Sequence, residues 1–485
     1  MSARDKIADG YLRSAVFADG HTLSMRGVEA WLDAQREAQP IAVRRIGFGE
    51  MAHWAFAGEP LRLEHRSGRF FAVEGLRVRT DVGPVRAWDQ PILHQPEVGI
   101  LGIITRIFGG VRHLLMQAKV EPGNVNGVQL SPTVQATRSN FTRVHGGARP
   151  TYLEYFLEGS GARVLVDQLQ GEQGSRFLRK QNRNMIVEVD EDLPVHERFC
   201  WMTLAQIKQL LRQPNLVNMD TRTVLACLPL LGRGPLEPGL ADDECPELRI
   251  GDLPLGPFAL ELLTSVEDHH RPVHPTRELL HWLTALRSRH EMHLERRPLD
   301  QLDQWEAGDD AIRHVSGAHF SVIAVEVESG DREVRRWQQP MIEHHGQGLN
   351  GFLLQRVDGV LHFLVRACMY PGNRALFELG STVSRSDADA QFGRPDVPPL
   401  LDLFHDPPEE WIRYSAIQSE EGGRFHHYQN RYVILELPEG MAVEPSQTHR
   451  WMTLGQIQAL LPHGYFNIEA RNLLACLDLC HGAPA

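Results

Sequence analysis

The sequence predicts an α+β protein formed by a tandem duplication of one mixed-sheet domain. The first observation is self-similarity: the chain reads WMTLAQI at 201–207 and WMTLGQI at 451–457, and WDQP at 88–91 returns as WQQP at 337–340. Equivalent residues stay roughly 250 positions apart throughout, which indicates a duplication. The second observation is the order within each copy, where strands are grouped between helices at the two ends. Such grouping is typical of α+β domains rather than doubly wound ones.

Each copy is expected to start with a helix, because apolar residues recur at three-to-four spacing around Trp31 and again around Trp282. Apolar runs then predict strands at 69–78, 111–120 and 185–189 in the first copy and at 320–327, 360–367 and 432–437 in the second. Thr203 and Thr453 are predicted N-caps of closing helices at 204–211 and 454–461. The predicted boundaries are 1–228 for the first copy, 229–260 for a linker rich in proline, glycine and aspartate, and 261–485 for the second copy.

Composition excludes several classes of function. A formal net charge of −12 argues against a general nucleic-acid binder. No apolar run is long enough to cross a membrane and no signal peptide opens the chain, so a cytoplasmic protein without membrane attachment is expected. The six cysteines form no CxxC pair, and the paired histidines lack a carboxylate or thiolate frame, so no metal site is predicted.

Common cofactor signatures are also missing. No GxGxxG follows a strand, and the chain has neither a Walker A sequence nor a G-x-S-x-G elbow. No cofactor is therefore expected, while assistance by a metal stays open.

A dense polar stretch runs from 117 to 145. Alternation places Lys119 and Glu121 on one face of a strand, and Gln129, Ser131, Thr133 and Gln135 on one face of another. A solvated sheet face is one interpretation. So many amides and hydroxyls with so few lysines favour a cleft that offers directional hydrogen bonds to a hydroxyl-rich ligand.

The two copies differ at these positions. Lys119 becomes Cys368, Glu121 becomes Tyr370, and the SNFTR run at 139–143 has no clear partner in the second copy. We therefore expect the working site in the first copy and a second or vestigial site in the other.

Several strings carry a resemblance to the NDP-hexose 2,3-dehydratase family. In the first copy they are GILGIITRIFGGVRHLLMQAKVEPGN, QLSPTVQATRSNFTRVHGG, LQGEQGSRFLRKQNRNM and VNMDTRTVLAC. In the second copy they are FSVIAVEVESGDREVRRWQQP, EEGGRFHHYQNRY and RWMTLGQIQALL. These strings run through both copies and cover most of the chain.

The resemblance implies a duplicated domain related to Nudix hydrolases, a nucleotide-sugar site in each copy and a homodimer. The catalytic box of Nudix hydrolases, GX5EX7REUXEEXGU, is absent, so pyrophosphate cleavage is not expected.

The implied reaction is loss of water across C2 and C3 of a dTDP-4-keto-6-deoxyhexose, giving a reactive diketo sugar that a partner 3-ketoreductase would consume. Lys119 and Glu121 are the expected donor and base, with Glu172 or His145 as the acid. Two alternatives stay open: a nucleotide-sugar epimerase or isomerase that uses the same enolate, and a non-catalytic nucleotide-sugar-binding protein.

The expected binding residues fall into three groups. Trp54 or Trp305 would lie near the thymine or sugar, although core packing is an equal alternative for each. Hydrogen bonds and phosphate contacts in the first copy would come from Gln129, Thr133, Ser139, Asn140, Phe141, Thr142, Arg143, Ser175 and Arg183. The comparable residues of the second copy are Ser381, Thr382, Ser384, Glu421, Gly422, Gly423 and Arg424.

Overall fold

The computed structural model is a mixed α+β structure with four sheets. It describes residues 3–17, 21–137, 150–229, 255–267, 272–317, 319–330, 335–385, 400–441, 443 and 445–479. The strands of the first copy are β1 Ile41–Ile46, β2 Trp54–Ala57, β3 Arg62–His65, β4 Ala72–Thr80, β5 Ala87–His94, β6 Gly99–Phe108, β7 Val111–Val120, β8 Val128–Ser131, β9 Val134–Ala136, β10 Arg163–Gly171, β11 Gln181–Glu188 and β12 Phe199–Met202. Those of the second copy are β13 Met292–Arg297, β14 Trp305–Ala307, β15 Ala311–His314, β16 Ser321–Ser329, β17 Arg336–Glu343, β18 Gly348–Val357, β19 Val360–Cys368, β20 Glu378–Gly380, β21 Val383–Arg385, β22 Ile412–Ser419, β23 Phe425–His426, β24 Gln429–Glu436 and β25 His449–Thr453.

Eight α-helices flank these sheets in the described ranges. They are α1 Ala3–Val16, α2 Met25–Ala38, α3 Leu204–Leu211, α4 Met219–Leu225, α5 Pro257–Val266, α6 Thr276–Arg289, α7 Leu454–Leu460 and α8 Ile468–Ala475. None of the helices described is long and apolar enough to cross a membrane. Helix α5 begins inside the predicted linker, most of which lies outside the described residues.

The two large sheets have the same topology, which confirms the predicted duplication. The first copy has the order β10-β11-β6-β7-β12, with β8 on β7 and β9 on β6. The second copy has the order β22-β24-β18-β19-β25, with β20 on β19 and β21 on β18. One pair in each sheet, β11 with β6 and β24 with β18, is parallel, and the other pairs are antiparallel, so the sheets are mixed as predicted.

The two small sheets exchange strands between the copies. Strand β1 of the first copy pairs with β16 of the second, with Ile41 opposite Ser329. Reciprocally, β13 of the second copy pairs with β4 of the first, with Met292 opposite Thr80. Each small sheet therefore contains one strand of the other copy.

The closing helices begin at the predicted residues because both predicted caps are made. The Thr203 hydroxyl accepts from the Gln206 amide, and the Gln206 side chain accepts from the Thr203 amide. Thr453 and Gln456 repeat this arrangement at α7. A reciprocal pair of this kind satisfies two backbone donors that the first helical turn would otherwise leave unpaired.

A short glycine loop of each copy presses against the other copy. The Gly123 amide donates to the Gly422 carbonyl at 2.7 Å, and the His427 amide donates to the Gly123 carbonyl at 3.0 Å. In the reciprocal contact the Gly372 amide donates to the Gly174 carbonyl at 2.6 Å. A Cβ on Gly123 would lie 1.6 Å from the Phe425 carbonyl oxygen, so only glycine allows this approach.

We expect Gly123→Ala to destabilise the protein by at least about 1–3 kcal/mol, because the added methyl group forces backbone apart at the contact between the copies. Denaturant unfolding measures the change. Gly49→Ala is the matched control, since nothing lies within 4 Å of its added Cβ. Equal stability of the two variants would contradict the proposed role of the close approach.

Candidate active site

The predicted pair Lys119 and Glu121 lies at the end of β7, next to β8 and β9. The Lys119 Nζ is 3.0 Å from Glu121 Oε1, and Gln135 Nε2 donates to the same oxygen at 2.9 Å. Ser131 Oγ donates to Gln135 Oε1 at 3.1 Å. The Glu121 residue is buried, whereas the Lys119 side chain is 20% exposed. These residues form a polar network whose lysine reaches solvent.

The second copy contributes Glu421 and Gly422 to the same region, and we refer to these residues together with Lys119 and Glu121 as the cleft. The Gly123–Gly422 hydrogen bond holds Gly422 so close that a Cβ built on it would lie 3.0 Å from the Glu121 Cβ. Glu421, partly exposed, therefore faces the first-copy network, and its Oε1 accepts from the Gly423 amide at 2.9 Å. Of the residues Glu421–Arg424, predicted to serve a site of the second copy, Gly422 packs against Glu121, and Glu421 interacts electrostatically with Glu121 and Lys119.

Two buried acids, Asp220 and Glu172, interact electrostatically with Glu421 of this cleft. Asp220 is in the first turn of α4, is 3% exposed, and has an Oδ1 without a hydrogen-bond partner among the described residues. Burial, together with the charges of Glu172, Glu421 and Glu121, raises the pKa of Asp220 well above its usual value. Burial also raises the pKa of Glu172, and Lys180 opposes that shift.

Glu421 belongs to the same electrostatic cluster. Burial and the neighbouring Glu121 charge raise the pKa of Glu421 to about 7, while Arg424 opposes them. Carboxyl groups that still hold protons near neutral pH are suited to proton transfer, and such shifts are concentrated at functional sites. The cleft therefore combines an ammonium, an ion-paired carboxylate and protonatable carboxyls.

Arg424 provides a cation at the edge of the cleft. Its guanidinium lies 4.2 Å from the centre of the Phe71 ring, and its Nη2 donates to Gln95 Oε1 at 3.4 Å. The residue is partly exposed, whereas its equivalent Arg176 is 1% exposed. A guanidinium that solvent reaches can accept an anionic ligand.

The second-copy counterpart of the cleft has different chemistry. Cys368 and Tyr370 replace Lys119 and Glu121, and both are buried. Glu469 stands where the first copy has Asp220, and burial raises its pKa to about 8. The lysine–glutamate pair thus exists only in the first copy. Among the described residues no three His, Cys, Asp or Glu side chains converge as metal ligands would.

Both predicted tryptophans lie in the core between the copies. The Trp54 Nε1 donates to the Gln338 carbonyl at 2.8 Å, and the Trp54 ring packs 4.8 Å from Phe71. The Trp305 Nε1 donates to the Asp89 carbonyl at 2.8 Å. Each indole is at least nine-tenths buried and bridges the two copies, which is the core-packing alternative of the sequence analysis.

The predicted polar binding residues divide between the cleft region and the sheet interior. Gln129 Oε1 accepts from Ser419 across the copies. Thr133 lies between β8 and β9, so it does not continue the strand face of Gln129 and Ser131 as predicted. Its hydroxyl donates to the Leu115 carbonyl and accepts from the Ile104 amide. Thr382 repeats this second pattern with Leu364 and Leu353.

The remaining predicted residues make local contacts. Ser381 donates to the Val383 carbonyl and Ser384 to the Asn350 side chain. The Ser175 carbonyl accepts from the Gln90 side chain, and Arg183 forms a bidentate ion pair with Asp167. Ser139, Asn140, Phe141, Thr142, Arg143 and His145 lie outside the described residues.

Sequence reasoning missed Asp220. One signal could have identified it: both copies place an acid two residues after the N-cap asparagine of a short helix, as Asp220 after Asn218 and Glu469 after Asn467. An acid present at the start of both buried helices is not explained by exposure to solvent, and it indicates a functional or structural role.

Comparison with known proteins identifies the family. The sequence model of a family described as NDP-hexose 2,3-dehydratase matches residues 25–228 and 276–477, and thus both copies. The chain belongs to this family.

Curated relatives match nearly the whole chain. The protein named dTDP-4-dehydro-6-deoxy-alpha-D-glucopyranose 2,3-dehydratase in Saccharopolyspora spinosa is 45% identical, covering 96% of this chain and 94% of its own. Relatives of the same name in Amycolatopsis orientalis and Streptomyces violaceoruber are 42% and 40% identical; they cover 98% and 94% of this chain, and 95% and 98% of their own lengths. The resemblance found in the sequence is confirmed.

The raised pKa of Glu469 predicts a pH-dependent stability. The folded protein keeps this proton to about pH 8, whereas an unfolded glutamate loses it near pH 4.5, so its contribution to stability falls as pH rises between those values. We expect Glu469→Gln to lessen the loss of stability between pH 5.5 and 8 by at least about 1 kcal/mol. Urea unfolding at both pH values measures it, with the exposed Glu306→Gln as control. An unchanged pH dependence in Glu469→Gln would contradict the burial of an ionisable carboxyl.

Proposed function

We propose that this protein is a dTDP-4-keto-6-deoxyglucose 2,3-dehydratase whose chemistry takes place at Lys119 and Glu121. The observation that carries the proposal is this ion pair beside the Glu421 carboxyl, because the second copy has Cys368 and Tyr370 at the equivalent positions. The names of the relatives at 40–45% identity support the substrate.

The reaction is an elimination that needs three groups in one place. The C4 ketone acidifies the hydrogen on C3, and a base removes it to give an enolate. A donor stabilises the negative charge on the ketone oxygen, because charge that develops in the transition state needs a preorganised partner. An acid protonates the C2 hydroxyl as the C2–O bond breaks. The enol then tautomerises to the 3,4-diketo-2,6-dideoxy sugar.

The residues of the cleft suit these roles. Glu121 is ion-paired with Lys119 at 3.0 Å, and a carboxylate in this position can accept the C3 proton. The Lys119 ammonium, partly exposed, can turn from Glu121 to the ketone oxygen when substrate arrives. Gln135 then holds Glu121 in position through its 2.9 Å hydrogen bond.

Binding of the diphosphate is assigned to cations at the edge of the cleft. Among the described residues the candidate is Arg424. The second candidate is Arg143 of the 139–143 run, which lies outside the described residues. Two arginines would compensate a diphosphate in a chain whose overall charge is −12.

Several broader properties belong to the same proposal. Each copy would descend from a Nudix-like domain, with the first copy active and the second holding a second or vestigial nucleotide-sugar site. The protein would act as a homodimer in the cytoplasm, and a 3-ketoreductase would consume the reactive diketone.

Mass analysis of the product tests the activity. Incubated with dTDP-4-keto-6-deoxyglucose in deuterated buffer, the protein should give a product that has lost one water and gained solvent deuterium at C2, and o-phenylenediamine should trap this product as a vicinal diketone. Deuterium uptake without loss of water would indicate an epimerase or isomerase instead. An unaltered substrate that nevertheless binds would indicate a nucleotide-sugar-binding protein.

Substitutions in the cleft test its assignment. We expect Glu121→Gln and Lys119→Met each to lower kcat by about a hundredfold or more, because one removes the base and the other the enolate donor. Cys368→Ala and Tyr370→Phe, at the equivalent positions of the second copy, should keep the wild-type kcat. Circular dichroism checks that all four variants fold. Full turnover by both cleft variants would place the chemistry elsewhere.

A further inference from the structure

Two loops that follow β10 and β22 face each other between the copies. They are the 172–177 loop of the first copy and the 420–425 loop of the second, equivalent at an offset of 248. Gln173 Nε2 donates to Glu420 Oε2 at 2.7 Å. The other Glu420 oxygen accepts from Asn430 Nδ2 at 2.5 Å and from the Tyr432 hydroxyl at 2.7 Å. Three donors thus satisfy Glu420.

The reciprocal position lacks two of these three donors. Glu172 is the equivalent of Glu420, and Glu421 stands where the first copy has the Gln173 amide. Glu172 Oε1 accepts from Asn182 Nδ2 at 2.6 Å, but the equivalent of Tyr432 is Asn184, which supplies no hydroxyl. Glu172 Oε2 and Glu421 Oε2 are both buried without a hydrogen-bond partner among the described residues. By the equivalence of the two loops, Glu421 presents a carboxyl to Glu172 where the other copy presents the Gln173 amide to Glu420, and the charge of Glu172 contributes to the raised pKa of Glu421.

A proton on one of the two carboxyls would relieve the repulsion between them. Two buried carboxylates that interact strongly do not both ionise, and a protonated acid can supply the missing donor. Glu172 is 8% exposed, whereas Glu421 is partly exposed beside Glu121 and Lys119. Glu421 is also the one of the two whose neighbour, Gly422, packs against Glu121, so we assign its proton to the reaction.

We propose that Glu172 and Glu421 share one proton across the junction of the copies, and that Glu421 delivers it to the departing C2 hydroxyl. The inference deepens the proposed function and rests on it. In this step the Glu421 O–H bond breaks, its proton goes to the C2 oxygen, the C2–O bond breaks and water leaves. The electron pair of the enolate forms the C2–C3 double bond. The proton that Glu121 took from C3 replaces the one lost from Glu421, through solvent.

The charges around Glu421 favour its acid form near neutral pH. Burial raises its pKa to about 7, Glu121 and Glu172 add to the shift, and Arg424 and Lys119 oppose it. Asp220, from α4, lies in the same cluster and is raised by the same neighbours. The rate should therefore fall as the pH rises through about 7, where Glu421 loses its proton.

Two substitutions test the shared proton. Glu421→Gln places an amide where the other copy already has Gln173, so the variant should fold, while kcat drops by about a hundredfold or more and the alkaline fall near pH 7 disappears. Glu172→Gln removes a charge that holds the proton on Glu421. It should therefore move the alkaline fall to a lower pH. Glu469→Gln, a buried acid of the second copy, is the control and should keep the wild-type profile.

A readout without substrate separates this inference from the proposed activity. Infrared titration of the wild-type protein should show the carbonyl band of a protonated buried carboxyl that disappears as the pH rises through about 7, and Glu421→Gln should lack that band. Loss of the band in Glu421→Gln with no dehydration by the wild type would contradict the proposed function while leaving the shared proton intact. Full kcat in Glu421→Gln, or an unshifted alkaline fall in Glu172→Gln, would overturn the acid role.

Discussion

The close approach of backbone at Gly123 and Gly372 determines where the cleft can form. At Gly123 the chain both donates to Gly422 and accepts from His427, so the loop of one copy is fixed to the loop of the other by two hydrogen bonds. Because the two backbones are hydrogen-bonded and in direct contact, the neighbouring side chains have little freedom to move. The position of Glu421 relative to Glu121 therefore follows from a contact between glycines rather than from either side chain.

Buried arginines reinforce the same junction. Arg222 of the first copy donates to the Gln418 side chain and to the Ser419 carbonyl of the second. Arg471 reciprocates, donating to the Gly171 carbonyl and to Thr223. Removing a guanidinium from water costs several kcal/mol unless hydrogen bonds replace the lost hydration. Each arginine finds these acceptors in the other copy. Both buried guanidinium groups therefore require the two copies to pack against each other in this arrangement.

Local patterns made part of the secondary structure and half of the cleft predictable. The caps at Thr203 and Thr453 are short-range interactions, and the alternation along β7 is enough to place Lys119 beside Glu121. The strand predicted at 111–120 has those bounds. Each of these features depends on neighbours within a few residues, which the sequence displays directly.

Long-range partners were not predictable in the same way. Nothing in the residues of β1 indicates that its partner is β16 of the other copy. The break before Thr133 and the arrival of Glu421 beside Glu121 likewise depend on tertiary contacts. Asp220 was not predicted because a single acid between apolar residues gives no periodic pattern. Only the presence of Glu469 at the equivalent position of the second copy indicates it.

The strand exchange has a consequence for the origin of the molecule. A polypeptide with only one copy would leave the edge of β4 without β13, and an open edge recruits another strand. Two such polypeptides would complete each other through the same reciprocal pairing, so an unfused ancestor would have been an intertwined dimer. Fusion of its genes made that interface permanent and freed the two once-identical clefts to diverge, which a symmetric assembly of identical subunits could never do.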